Sequence, residues 1–172
     1  KSGAKFSYDG VEKDVCAAIS LGDNQIYLII DSDNSSITIL GEHEDMAVAG
    51  IYAGGKVGDI YRDIYINGDG LTIDASKASG YYVAPIITGQ GYIYNTDMEV
   101  FGGSSVKPGT FIVVSDAQDA TGLVSGGNAH LTVHSGTCPE GTEPMAIRAA
   151  AILNLGYASV LDVEGNVSAA EL

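Results

Sequence analysis

The sequence has little positive charge, only two cysteines and no tryptophan. Its 172 residues include 8 lysines and arginines against 22 aspartates and glutamates, which gives a formal net charge of -14. A surface of this sign repels the phosphate backbone of nucleic acids and anionic membranes. We therefore expect neither nucleic acid nor a membrane among the partners of this chain.

Long apolar runs are also missing. No segment approaches the roughly 18 to 20 apolar residues that cross a bilayer, and residues 1–10 lack the apolar core of a signal peptide. We expect a soluble chain whose location is a virion or the extracellular space. Because it begins at Lys1 and not at methionine, we also expect that an earlier segment was removed.

Cys16 and Cys138 are the only thiols. If they pair as a disulfide, the closed loop is long enough to stabilise the fold by about 4 to 5 kcal/mol. A bridge would indicate an oxidising compartment. The sequence leaves open whether the two cysteines pair or remain separate thiols.

Glycine and tyrosine are abundant, with 23 and 10 residues. Short alternating or β-branched runs bounded by Gly, Asn and Asp predict strands, and the turn residues between them predict hairpins. The spacing is irregular and shows no repeating motif, which argues against a solenoid. The sequence predicts one all-β domain over residues 1–172, a β-sandwich or barrel. The predicted strands cover residues 16–21, 25–31, 36–40, 59–66, 71–74, 81–87, 91–101, 110–115 and 130–134.

A single helix is predicted near the C-terminus, packed on the sheet. Thr142 can cap it, Pro144 suits its first turn, residues 145–155 are rich in Ala and Leu, and Gly156 ends it. Residues 159–163 then read as a closing strand. Residues 42–53 fit both a short helix and an edge strand, and we favour a helix or loop.

One acidic segment has the spacing of a calcium loop. Asp31, Asp33, Ser35 and Glu42 match oxygen-ligand positions 1, 3, 5 and 12 of an EF-hand. Ser36 replaces the glycine of the sharp turn, and the flanking runs predict strands in place of helices. The alternative is an Asx-rich turn that binds no ion, and we favour it. We therefore expect no cofactor, and Ca²⁺ is the one ion that the segment suggests.

No pattern of a catalytic site is present. His130 and His134 would lie roughly 13 Å apart on a strand, too far to share a zinc ion. The sequence has no G-x-S-x-G elbow. Asp97 and Glu99 would share one strand face, as the acid and base of a glycosidase do, but any acidic β protein offers such pairs by chance. We predict that the chain is not an enzyme.

Four tyrosines on predicted strands are candidate interface residues: Tyr61, Tyr65, Tyr92 and Tyr94. Exposed tyrosines suit a protein interface, where this residue is enriched, or a surface on which sugars stack. The alternative is that they line the margin of the core and direct their hydroxyls to water.

The segment 106–114, Val-Lys-Pro-Gly-Thr-Phe-Ile-Val-Val, is followed by a polar loop through Asp119 and Gly122 and then by the predicted helix and closing strand. This arrangement resembles the small β-rich proteins that decorate the capsids of tailed phages. The resemblance implies a non-enzymatic subunit that binds a capsid lattice and its own copies.

Three functions therefore stand as expectations. The first is a structural or assembly protein, a virion subunit that decorates a capsid and forms oligomers or binds a lattice. The second is a secreted or cell-surface binding module or filament subunit that binds glycan or calcium. The third is a glycan-active hydrolase whose carboxylates come together only in the folded chain.

Overall fold

A computed structural model describes residues 4–114, 123–149, 153–156 and 158–169, and this part of the chain is all β. Ser115, Asp119, Gly122 and Ile152, which entered the predictions above, lie outside the described residues. In chain order the strands are β1 (Lys5–Tyr8), β2 (Val11–Ser20), β3 (Tyr27–Ser32), β4 (Ser35–Ala53), β5 (Lys56–Val57), β6 (Ile60–Tyr61), β7 (Asp63–Gly68), β8 (Leu71–Val83), β9 (Ile86–Thr88), β10 (Gln90–Tyr94), β11 (Asp97–Phe101), β12 (Ser104–Ser105), β13 (Phe111–Val113), β14 (Leu123–Gly126), β15 (His130–His134), β16 (Met145–Ala149), β17 (Leu153–Leu155), β18 (Val160–Glu164) and β19 (Asn166–Ser168).

The strands wind as a parallel β-solenoid with three faces. Face one contains β3, β7, β10, β14 and β17. Face two contains the first parts of β4 and β8, followed by β11, β15 and β18. Face three contains β2, the last part of β4, β9, β13, β16 and β19. Successive coils repeat after roughly 30 residues, within the range of known structural repeats.

Aligned rungs of apolar side chains fill the interior. On face one Ile30 pairs with Ile66, and Ile66 pairs with Ile93. Face three has a second row of the same kind, in which Ile51 pairs with Ile86 and Ile86 with Phe111. Except for Ile30, which is partly buried, these side chains are almost fully shielded from solvent. Successive side chains of a strand point to opposite faces, so the residue type alternates between this interior and the outer surface.

A second apolar cluster covers part of the outer side of face three. Strands β1 and β2 form an antiparallel hairpin, and Phe6 from β1 packs edge-on against Tyr82 with a ring-centroid distance of 5.2 Å. Tyr52 donates its hydroxyl to the Lys5 carbonyl at 2.7 Å, and Tyr82 donates to the Tyr8 carbonyl at 3.1 Å. Burial of the hydroxyls raises the pKa of both Tyr52 and Tyr82 to about 12.

The predicted all-β class is confirmed, but the predicted C-terminal helix is wrong. Met145–Ala149 is strand β16, paired in parallel with β13, and Leu153–Leu155 is strand β17. Ala146, Ile147 and Ala149 are buried in the solenoid. Burial between neighbouring coils outweighs the helix propensity of an Ala-rich segment, because propensity is a weak prior.

The expected sandwich or barrel of hairpins is also wrong, as is the argument against a solenoid. Apart from the hairpins β1–β2 and β5–β6, the paired strands are parallel and come from successive coils. The connector between β3 and β4 is a corner between two faces, with Asn34 at a φ of 46°. Residues 42–53 belong to the long strand β4 and form neither a helix nor a loop.

Candidate binding surfaces

The outer side of face one carries a cluster of tyrosines. Register places Ile29 beside Tyr65 and Tyr65 beside Tyr92, and Tyr27 and Tyr94 lie on the same side of their strands. We call these five residues the tyrosine face. Ile29 is 66% exposed and Tyr27 58% exposed, while the other three side chains are half-buried. The face is backed by the buried interior residues Ile64, Ile66 and Ile93.

The rings of Tyr65 and Tyr92 stack on each other. Their centroids lie 4.7 Å apart and their planes differ by 6°, which matches the spacing between neighbouring strands. The ring planes therefore lie across the solenoid axis, and the faces that meet are covered by each other. What the pair presents outward is ring edges and hydroxyl groups.

The hydroxyls of this pair are held by neighbours on their own strands. Tyr92 donates to Gln90 Oε1 at 2.9 Å, and Tyr65 lies 3.5 Å from Asp63 Oδ2. Burial raises the pKa of the Asp63 carboxyl, and burial together with the Asp63 charge raises the pKa of Tyr65. Tyr65 and Tyr92 are thus held in position in the unbound chain.

The fourth predicted tyrosine lies elsewhere. Tyr61 is in β6, part of the short hairpin with β5, and Lys56 Nζ lies 4.0 Å from the centroid of its ring. Tyr27 and Ile29, the most exposed members of the tyrosine face, were missing from the sequence prediction. Only the register of β3 on β7 places them beside Tyr65, and no local pattern in the sequence reveals that pairing.

An acidic groove runs along face two. Its volume is about 470 Å³, and its polar lining comes from several coils. The lining includes Asp69 and Thr72 from the second coil, Asp97 and Glu99 from β11, and His130 from β15. Asp97 and Glu99 lie on one side of the same strand, with their backbone positions roughly 7 Å apart.

Two histidines next to this groove bind carboxylates. His130 Nε2 lies 2.9 Å from Asp162 Oδ2. His134 lies between two carboxylates, with its Nε2 2.9 Å from Glu99 Oε1 and its Nδ1 2.8 Å from Glu164 Oε2. The carboxylates raise the pKa of His134, with the bond to Glu164 as the largest cause, although burial opposes the shift.

The four residues of the predicted calcium loop do not come together. Asp31, Asp33 and Ser35 lie at the corner between β3 and β4, where Asn67 donates to Asp31 at 3.4 Å. Glu42 lies seven residues along β4 from Ser35, a distance of roughly 20 Å in an extended strand. Glu42 therefore cannot share an ion with the corner residues. Across the described ranges, no group of three or more His, Cys, Asp or Glu side chains is arranged to hold a metal.

Cys16 and Cys138 are both free thiols and both half-buried, so the disulfide that the sequence allowed is not formed in this structure. Cys16 lies in β2 and Cys138 follows β15. Burial raises the pKa of the Cys138 thiol. Among the described residues there is also no helix long and apolar enough to cross a membrane.

Comparison of the chain with protein-family models, with curated proteins and with solved structures found no match.

Proposed function

We propose that this chain is a non-enzymatic structural protein that assembles with other protein surfaces, its own copies included, through the tyrosine face. The observation that carries the proposal is the row formed by the exposed Tyr27 and Ile29 and the half-buried Tyr65, Tyr92 and Tyr94 on one sheet. Tyrosine is enriched in protein interfaces, where its ring contributes buried apolar area and its hydroxyl a hydrogen bond.

The rigidity of the face supports this proposal. The stacked rings of Tyr65 and Tyr92 and the buried rungs behind them fix the surface before binding. A surface that is already ordered loses less conformational entropy on association. The tyrosine face therefore meets a main requirement of a stable protein interface.

The stacking also argues for a protein over a sugar on this face. A sugar ring needs an open aromatic face on which to stack, and the stacking of Tyr65 on Tyr92 removes one face of each ring from such contact. Ring edges and hydroxyls between apolar side chains fit the mixed surface of a protein partner.

A virion subunit that decorates a capsid is the setting we propose from the resemblance stated above, of which residues 106–114 and the closing strand remain while the expected helix is strand β16. A secreted or cell-surface module, or a filament subunit, is the alternative setting. Both settings need a protein that presents a fixed surface to many copies of a partner. Self-association is the part of the proposal that can be tested with the chain alone.

The test is sedimentation velocity over a range of protein concentrations at two salt concentrations. We expect the native chain to self-associate, and we expect Ile29→Glu to weaken association at least tenfold by placing a charge in the tyrosine face. Leu40→Glu is the matched control, because Leu40 is 60% exposed on β4 and lies outside this face. Because each copy carries a net charge of -14, association should strengthen as salt screens the repulsion.

A chain that stays monomeric at every concentration and salt level would overturn self-assembly. Equal weakening by Ile29→Glu and Leu40→Glu would overturn the assignment of the tyrosine face.

A second candidate function, glycan binding or hydrolysis, is favoured by the acidic groove. Asp97 and Glu99 both line this groove, and glycosidases use a pair of carboxyl groups as acid and base. The test is release of reducing ends from a panel of oligosaccharides. Hydrolysis that disappears in both Asp97→Asn and Glu99→Gln would support it, and no release from any substrate would argue against hydrolysis.

A further inference from the structure

Three charged side chains form one contact across three successive coils of face two. Glu164 on β18 lies beside His134 on β15 in register, whereas Glu99 on β11 lies opposite Thr132 and reaches His134 across the diagonal. We call this group the His134 clamp. The His134 ring also stacks on Phe101, with centroids 4.3 Å apart and planes within 4°.

The hydrogen bonds of the clamp depend on the protonation state of the ring. Both ring nitrogens lie within 3 Å of a carboxylate oxygen. A neutral imidazole carries only one N–H, so it can donate to one carboxylate and must turn a lone pair toward the other. Only the imidazolium can donate to Glu99 and Glu164 together. The geometry of the clamp is therefore that of the charged ring.

The charges around the clamp favour the same state. On β8, Asp74 lies beside Phe101 in register, and on β18 Asp162 lies beside Glu164 and binds His130 of β15. These neighbours and the two clamp carboxylates are acidic, and His130 is the other titratable base on β15. The surrounding field therefore stabilises a positive charge at His134.

The pairing of β18 with β15 depends on this contact more than the pairing of β15 with β11 does. In β18, Leu161 and Val163 are only partly buried, whereas their register partners in β15, Leu131 and Val133, are almost fully buried. With less apolar area buried, the contacts between side chains on face two provide a larger share of the free energy that holds β18 on β15.

We propose that the His134 clamp is a pH-sensitive latch, which holds β18 on the solenoid while the ring is charged and releases it when the ring loses a proton. The direction follows from proton linkage. A histidine whose pKa is raised in the folded state adds stability below its unfolded pKa, and this stability is lost as the pH rises through the folded pKa. Opening of β18 should therefore become easier with rising pH.

The test combines two measurements by nuclear magnetic resonance on the full chain. The first measurement follows the imidazole chemical shifts of all three histidines against pH. The second measures amide hydrogen exchange in β18 and β7, and each exchange rate is divided by the intrinsic rate of that amide at the same pH. We expect His134 to titrate above the ordinary pKa of a histidine side chain, about 6.5. Protection of β18 should fall about tenfold for each pH unit by which folding raises the His134 pKa. Protection of β7 should not follow this titration.

His134→Gln tests the charge and His43→Gln is the matched control. Glutamine can still form one hydrogen bond but carries no charge, so the pH dependence of β18 protection should become weaker in His134→Gln and persist in full in His43→Gln. Glu164→Gln is a second variant that keeps the size of the side chain, and it should lower the pKa of His134. Protection of β18 that is constant through the His134 titration, or unchanged pH dependence in His134→Gln, would overturn the latch.

Discussion

Glycines occur where the backbones of two coils touch. Gly103 and Gly136 lie on neighbouring coils, and Thr137 donates its backbone N–H to the Gly103 carbonyl at 3.0 Å. A Cβ atom at Gly136 would overlap that carbonyl oxygen, and one at Gly103 would overlap the carbonyls of Ala75 and Ala78. Backbone atoms cannot turn away as a flexible side chain can. These glycines are required by close approach of the chain to itself.

At this scale we predict that Gly136→Ala destabilises the protein by about 1 to 3 kcal/mol, as overpacking of a filled site does. Urea unfolding followed by circular dichroism measures the change. Gly22→Ala is the control, because an added Cβ there would meet only the flexible Gln25 side chain at 3.4 Å. The close-approach argument fails if the two variants are equally stable.

At the scale of the strand, alternation divides each segment between the interior and the surface. Along β7, Ile64 and Ile66 are fully buried and Tyr65 between them faces outward. On β3, Ile29 faces outward, while Ile30 points inward beside Ile66. The same residue type, isoleucine, therefore has opposite roles at neighbouring positions.

We predict that Ile66→Ala lowers the free energy of unfolding by about 2 to 5 kcal/mol, because it leaves a cavity between two rungs of the interior. Ile29→Ala should change it by less than about 0.5 kcal/mol, as expected at an exposed site. Thermal and urea unfolding of the two variants provide the comparison. A larger loss at Ile29 than at Ile66 would mean that the register of face one is wrong.

The segment Met145–Ala149 shows how tertiary contacts decide an element. Its composition favours a helix, yet it continues the parallel ladder of β13 and β19. Each residue added to that ladder gains backbone hydrogen bonds on both sides and buries an alternate side chain. An isolated helix of this length is marginal in water.

At the scale of the whole molecule, the excess of acidic groups opposes the folded state. The net charge is -14, and the coil brings Asp97, Glu99, Asp162 and Glu164 onto one face. These carboxylates lie on β11 and β18, two strand spacings of about 4.8 Å apart with β15 between them, and they repel each other when salt is low.

We therefore predict that the protein becomes more stable as sodium chloride rises from about 10 mM to about 150 mM, which shortens the screening length from about 30 Å to about 8 Å. A gain of about 1 kcal/mol would raise the melting temperature by about 2 to 4 °C. Calcium chloride at the same ionic strength is the comparison, and an additional rise would indicate a calcium site at the corner that holds Asp31 and Asp33. No gain with sodium chloride would contradict the role of charge repulsion.

The sequence by itself determined the all-β class and most strand positions, because alternation of apolar and polar residues is a local property of the chain. It also indicated Tyr61, Tyr65, Tyr92 and Tyr94 as candidate interface residues, of which Tyr61 lies outside the tyrosine face. The acidic charge of the surface was fixed in the same way, by composition alone.

Only the tertiary structure decided that the strands are parallel and wound in coils. Parallel pairs join residues of successive coils, such as Ile66 and Ile93, and the coils differ in length, so no sequence period reveals them. The same register brought Ile29 beside Tyr65, separated Glu42 from Asp31, and placed His134 between Glu99 and Glu164. Each of these outcomes depends on contacts between residues far apart in the chain, which local patterns do not encode.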